Sequence, residues 1–183
     1  MKVLIAIDPG ASGGFAFQNS DGSVTACRMH DTVRMIADNL RFALCANSLT
    51  TPKPEYVEAY VELVSGNVGK MQPGSRMFTF GENFGVIQGL LEGLGIKYTL
   101  VRPQTWIGAL GLGTKEKERG DYHGLTTDDV KLEESRIRKL NAKHKTEWKN
   151  KLKDRAQKDY PGLKVTLATA DALNILTYAR QQS

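Results

Sequence analysis

The stretch Lys2-Val3-Leu4-Ile5-Ala6-Ile7-Asp8-Pro9-Gly10-Ala11-Ser12-Gly13-Gly14-Phe15-Ala16-Phe17-Gln18 decides how the rest of the chain is read. Residues 2–8 form a continuous apolar run rich in β-branched side chains, the pattern of a strand buried on both faces. The run stops on an acid, Asp8. Pro9-Gly10 and Gly13-Gly14 punctuate a turn, and residues 15–18 resume as a strand. Asn19-Ser20-Asp21-Gly22 is a hairpin turn, and residues 23–28 are a third strand. The result is an antiparallel three-stranded meander with Asp8 at the end of its first strand.

Outward from that meander, Asp31 or Thr32 caps a helix running to about residue 47, with Val33, Ile36, Ala37, Leu40 and Leu44 on one face. Residues 48–54 read as a loop. Residues 56–64 alternate as a strand, with Val57, Ala59, Val61 and Leu63 on one side and Glu58, Tyr60 and Glu62 on the other. A polar, Gly-rich loop follows. Ser75 is the expected cap of a second helix whose apolar row runs through Phe80, Phe84, Ile87, Leu91 and Leu94. Its glycines, Gly81, Gly85, Gly89 and Gly93, form another row spaced by four. Residues 96–101 are a strand, and Pro103 opens a helix that carries Trp106. Residues 111–129 read as a mobile loop. Basic helical sequence continues to Tyr160, and a last amphipathic helix covers about residues 169–180, with Ala172, Ile175, Leu176 and Ala179 inward.

The chain has 183 residues, enough for one domain with a real core, and 40% hydrophobic and 25% charged residues exclude a disordered or collagen-like chain. No apolar run is long enough to span a bilayer. The start does not read as a signal peptide, because Asp8 interrupts it early. These features predict a cytoplasmic protein with Cys27 and Cys45 as reduced thiols. Net charge is +5, but its distribution matters more. Residues 136–158 hold ten Lys and Arg against Glu147 and Asp154, and the remainder is slightly acidic. Such a concentrated basic segment is either a solvated helix face or the electrostatic footprint of nucleic acid. His30, His123 and His144 read as surface histidines without a catalytic role.

Three acids stand where a purely structural design prefers apolar or neutral residues: Asp8 ending a buried strand, Glu62 late in another, and Asp171 in the first turn of the last helix. Singly, each has an ordinary explanation in a turn, a solvent-facing edge or a helix dipole. Together they converge if the first and fourth strands are neighbours and the last helix lies beside them. Carboxylates in such quarters repel unless a cation neutralises them. Hard oxygen ligands select Mg²⁺ or Mn²⁺, and a pair of such ions serves in-line phosphodiester displacement.

Ile7-Asp8-Pro9-Gly10-Ala11-Ser12-Gly13-Gly14 resembles the first motif of RuvC-type Holliday junction resolvases, and Tyr60-Val61-Glu62-Leu63-Val64 resembles their second. Ser75-Arg76-Met77-Phe78-Thr79-Phe80-Gly81 and Pro103-Gln104-Thr105-Trp106 resemble segments of the phage and prophage branch. Thr169-Ala170-Asp171-Ala172-Leu173 resembles the C-terminal acidic motif. The resemblance implies an α/β, RNase H-like fold: a mixed five-stranded sheet with an antiparallel three-stranded meander, flanked by helices. It implies one nuclease domain over residues 1–183, with 114–144 as a charged insertion. It further implies a homodimer that cuts four-way DNA junctions by paired nicks, leaving 5′-phosphate and 3′-hydroxyl ends. Asp8, Glu62 and Asp171 would be the catalytic acids holding Mg²⁺, with Mn²⁺ as a substitute and two ions per site. Lys145, Lys149, Lys151 and Arg76 would contact DNA. One departure stands out. The family carries a fourth acid one helical turn before the last, and here that position is Ala168, preceded by Leu167, with Thr169 and Asn174 as polar neighbours.

Two nearby readings keep the same acids or the same fold. One is another RNase H-like nuclease acting on other branched DNA or an RNA–DNA hybrid. The other is a junction-binding protein with weakened or no catalysis, motivated by Ala168. An actin-like or sugar-kinase ATPase also opens on an Asp-Gly-Gly hairpin, but it needs two such domains.

Overall fold

A computed structural model describes residues 2–45, 54–63 and 74–182. The apolar run after Lys2 is strand β1 (Val3–Asp8), with every residue buried except the terminal Asp8, which is half-buried. It pairs antiparallel with β2 (Gly14–Gln18), which pairs antiparallel with β3 (Val24–Arg28). On its other side β1 runs parallel to β4 (Val57–Glu62), and β4 runs parallel to β5 (Lys97–Val101). The mixed sheet therefore has the order β3-β2-β1-β4-β5, with β1 at its centre. The meander is the one that the strand pattern predicts, and the mixed five-stranded sheet is the one that the resemblance implies.

Period-two alternation sends side chains into two cores. Ile5, Ile7, Phe15, Ala59 and Val61 face α1 (Val33–Cys45) and α2 (Gly74–Gly93), which contribute Ile36, Leu40, Ile87 and Leu91. Leu4, Ala6, Ala16 and Tyr60 face α3 (Pro103–Ala109), α4 (Thr127–Asp159) and α5 (Ala170–Gln182), which contribute Trp106, Leu152, Ala156, Leu173 and Leu176. Thr32 caps α1 through its hydroxyl, which accepts from the Met35 amide at 3.2 Å. The expected end of that helix near residue 47 lies outside the described residues. The α2 helix begins at Gly74, so Ser75 sits inside it and is not its cap. Cys27 and Cys45 are both free thiols. Among the described residues no helix is long and apolar enough to cross a membrane.

The largest departure from expectation is α4. Its 33 residues span about 50 Å. It starts at Thr127, inside the stretch that reads as a loop, because Thr126 caps it: the Thr126 hydroxyl donates to Asp129 at 2.6 Å and accepts from the Asp129 amide at 3.3 Å. Residues 110–118 run antiparallel along the helix as a strap. Arg155 donates to the Leu110 carbonyl at 3.1 Å and Lys151 to the Leu112 carbonyl at 2.7 Å. Asn141 closes the strap by accepting from the Glu118 amide at 2.9 Å and donating to its carbonyl at 3.1 Å. His144 is not a surface residue: its side chain is 12% exposed and its Nε2 lies 3.6 Å from Glu116 of the strap.

At the end of the sheet, Gly14 permits a close approach. A Cβ there would overlap the Cys27 carbonyl and stand 2.8 Å from the Ala168 carbonyl, which leads into α5. We therefore expect Gly14→Ala to destabilise the fold by about 1–3 kcal/mol, as forced overpacking does. Urea unfolding of the variant checks this; a wild-type midpoint would mean that α5 does not sit so tightly on β2.

Candidate active site

The β1–β4 pair sets the site. Ile7 is in register with Val61, so the next step along both strands brings Asp8 and Glu62 level. Both follow residues of the α1/α2 core, so they turn to the opposite face, the one covered by α3, α4 and α5. Asp171, in the first turn of α5, reaches the same place. The sequence-predicted trio is thus brought to one end of the sheet, each member half-buried.

Each acid is held differently. One Asp8 oxygen, Oδ1, accepts from the Gly10 amide at 2.9 Å. Gly13 folds back so closely that any Cβ would overlap the Asp8 carboxyl group. The turn itself is closed by the Gly13 amide donating to the Gly10 carbonyl at 2.8 Å. Glu62 accepts from the Trp106 indole Nε1 at 3.0 Å, and Trp106 is buried in the core. That indole is a functional residue that motif reading alone leaves without a role. Its signal is Pro103, which starts α3 without a side-chain cap and places Trp106 in the first turn. Asp171 makes no hydrogen bond among the described residues; the positive end of α5 is its compensation.

The electrostatics follow from this packing. Burial is the main cause that raises the Asp8 carboxyl above its ordinary range, opposed by the Gly10 amide and by Lys149. Burial, then Asp8, push Glu62 up to about 8, against the opposing Trp106 hydrogen bond. Burial and Asp8 push Asp171 up to about 7, and Lys149 opposes that rise. The three groups therefore sense one another, and Lys149 is the cation that acts on two of them, Asp8 and Asp171.

This separates the three lysines that the sequence leaves unranked. Lys149 faces the acids. Lys151 is tied to the Leu112 carbonyl and lies 5.7 Å over the Trp148 ring, so it supports the strap. Lys145 is exposed one turn further out on α4, without an ion pair among the described residues. Arg76 falls in the first turns of α2, where its side chain is outside the described residues. Neither polar neighbour of Ala168 substitutes for the absent acid. Thr169 exchanges hydrogen bonds with Thr166 at 3.0–3.3 Å. Asn174 is buried and donates to the Leu152 carbonyl at 2.9 Å, tying α5 to α4.

Among the described residues no three His, Cys, Asp or Glu side chains stand close enough together to hold a metal ion as they are placed. The acids form an open array of hard oxygen donors, desolvated and mutually repelling. That donor set fits Mg²⁺, which keeps several waters and takes only one or two carboxylates alongside substrate phosphates.

No family model matches the chain, and no curated protein does. Among solved structures, T. thermophilus RuvC in complex with Holliday junction substrate aligns over 98% of this chain and 96% of that chain, with a TM-score of 0.53 and 15% identity. A second T. thermophilus RuvC structure aligns over the same shares with a TM-score of 0.47 and 16% identity. At the first of these values the likeness is one of fold: the RNase H-like arrangement that the motifs imply is the one present.

The raised carboxyl groups make a prediction about stability. Between the ordinary carboxylate range near 4.5 and about 8, Glu62 binds a proton in the folded state that it lacks when unfolded. Stability from this source is full below that window and is lost as pH rises through it. In EDTA, the melting temperature should fall between about pH 5 and pH 8, more in wild type than in Glu62→Gln. Millimolar Mn²⁺ should restore it at the upper pH and do little at the lower. A fall in EDTA that is identical in both proteins would place the repulsion elsewhere.

Proposed function

We propose that this chain is a RuvC-type Holliday junction resolvase of the phage and prophage-like branch. It is a metal-dependent endonuclease that nicks four-way DNA junctions in pairs, and residues 1–183 form one nuclease domain with 114–144 inserted. The observation that carries the reading is the trio Asp8, Glu62 and Asp171, desolvated and level at one sheet end, opposed by Lys149. The RuvC-like fold supports it. A cytoplasmic location suits the free thiols and the substrate.

In this reading Asp8, Glu62 and Asp171 hold two Mg²⁺ ions, for which Mn²⁺ substitutes. When bound, these supply charge neutralisation and an activated water for in-line attack on the scissile phosphate. The protein's own groups do the positioning. The Gly10 amide fixes one Asp8 oxygen, and the buried indole of Trp106 fixes one Glu62 oxygen. Lys149 offsets the negative charge that accumulates on the phosphate during displacement. The cations of α4 that neither fasten the strap nor pair with an acid engage the backbone without reading sequence.

A second reading has its own observation. Ala168 stands where a fourth acid is expected, and Thr169 and Asn174 are both committed to structural bonds. A junction-binding protein with weakened cutting would look the same in its core.

Synthetic four-way junctions, linear duplex and RNA–DNA hybrid, each assayed with Mg²⁺ and with EDTA, decide between these. We expect paired nicks on the junction alone. Asp8→Asn should abolish them while binding survives, because it removes repulsion with phosphate. Lys149→Met should slow the cut by about 10²-fold, as loss of one charge-stabilising donor does. Binding without any metal-dependent nick would establish the second reading, and preferential cleavage of hybrid would contradict the resolvase.

A homodimer belongs to this proposal, since a two-fold junction presents equivalent strands to two equivalent sites. Its support is α2. Ile87 and Leu91 pack on the sheet, and the glycine row lies across the helix from them. Gly81, Gly85, Gly89 and Gly93 have nothing among the described residues within 4 Å of where a Cβ would be. Four glycines sacrifice several times about 1 kcal/mol of helix preference, which makes sense if another backbone approaches there. Phe78, one turn before Gly81, is 71% exposed. Gly85→Leu should shift the sedimentation profile towards monomer while the melting curve stays cooperative. A fully dimeric Gly85→Leu protein would move the interface off this helix.

A further inference from the structure

The face of α4 that carries Lys149 continues well beyond the acids. Lys145 and Arg138 lie four and eleven residues before Lys149, spacings close to whole helical turns. Arg138 therefore stands about 16 Å further along the same side of the helix. There the helix and the returning chain border a cavity of about 830 Å³ that is half open to solvent. Lys117, Arg119, Lys131 and Arg138 line it, against the carboxylates of Glu118 and Glu134. Lys131 is engaged by Asp128 at 3.2 Å. Lys117, Arg119 and Arg138 have no ion pair among the described residues.

The cavity is a formed one. Both main-chain polar groups of Glu118 are bonded to the Asn141 amide, which fixes the wall that carries Lys117 and Arg119. The ring of Tyr122 lies on the backbone of Gly120 so closely that any Cβ at Gly120 would overlap it. The ring is nevertheless 41% exposed, so its outer part remains available. Unpaired cations beside a seated aromatic ring are the combination that holds a nucleic-acid strand, the cations taking phosphates and the ring a base or sugar. The volume suits a nucleotide-sized segment.

We propose that this cavity is a second nucleic-acid contact, in which Arg119, Arg138 and Lys117 hold the phosphates of the backbone and the Tyr122 ring packs against a sugar, at a fixed distance from the cutting centre. The inference rests on the nuclease reading above. A separation of about 16 Å corresponds to about five base pairs of duplex rise. The α4 arm then acts as a spacer: one face presents Lys149 to the scissile phosphate and the cavity to a phosphate several steps along the same arm of the substrate.

The test couples protein and DNA changes. Junctions carrying a single neutral methylphosphonate are prepared for each of eight linkages on either side of the cut. Wild type should lose several-fold in affinity when the neutral linkage lies about four to six steps from the cut on one side. The Arg119→Ala/Arg138→Ala protein should bind more weakly throughout, with a salt slope lower by about two, and should show no further loss at those linkages. Tyr122→Ala should weaken binding without changing the salt slope, because packing of the ring releases no counterions. Losses that simply add between protein and DNA changes would overturn the cavity contact while leaving the resolvase reading intact. Wild-type protein that binds no junction at all would overturn both.

Discussion

Three carboxyl groups at the end of a central, buried strand repel one another, and most of the local structure answers that repulsion. Asp8 is placed there by β1, whose six residues are needed in the sheet centre and whose direction leaves only the last one at the rim. Glu62 is level with it because β1 and β4 are parallel neighbours. Asp171 arrives on α5, which reaches the sheet end only because Gly14 leaves room for the Ala168 carbonyl. Each acid receives partial compensation from the Gly10 amide, the Trp106 indole or the Lys149 ammonium. None of these neutralises the group. Burial first, and the neighbouring acids second, leave Glu62 pushed up to about 8 and Asp171 to about 7, and that imbalance is what a divalent cation would relieve.

Much of this is legible in the amino-acid sequence. Continuous burial of β1, alternation in β4 and the amphipathic period of α5 follow from side-chain chemistry and the two backbone periods. Convergence of Asp8, Glu62 and Asp171 then needs two assumptions, that the first and fourth strands pair and that the last helix lies beside them. What sequence withholds is lateral contact. Trp106 and Glu62 are 44 positions apart, and nothing in either segment announces their hydrogen bond. Ranking Lys145, Lys149 and Lys151 requires knowing which side of α4 faces the sheet. His144, in a polar segment, is covered by a strap whose course depends on Asn141, Lys151 and Arg155. The start of α4 is within reach of a sequence reading, since Thr126 and Asp129 have the spacing of a capping pair.

The basic segment illustrates how composition and geometry divide the work. Ten cations within residues 136–158 fit a solvated helix face or a polyanion site, and composition alone does not choose between them. Once coiled into α4, they separate by role. Arg155 and Lys151 fasten the strap, Lys143 and Arg136 pair with Glu147 and Glu133, and Lys149 looks at the acids. Only part of the charge is left for a ligand, and within that part Lys145 and Arg138 share with Lys149 the face that runs from the acids to the cavity beside Tyr122.

Asp8, Glu62 and Asp171 together are the proposed site for divalent cations. The most direct measurement is anomalous diffraction from crystals of the wild-type protein grown in millimolar Mn²⁺. A Mn²⁺ peak is expected within about 2.0–2.4 Å of an Asp8 carboxyl oxygen, with loss of that peak in Asp8→Asn crystals. A map in which Mn²⁺ appears elsewhere on the protein, with no density beside Asp8, Glu62 or Asp171, would contradict it.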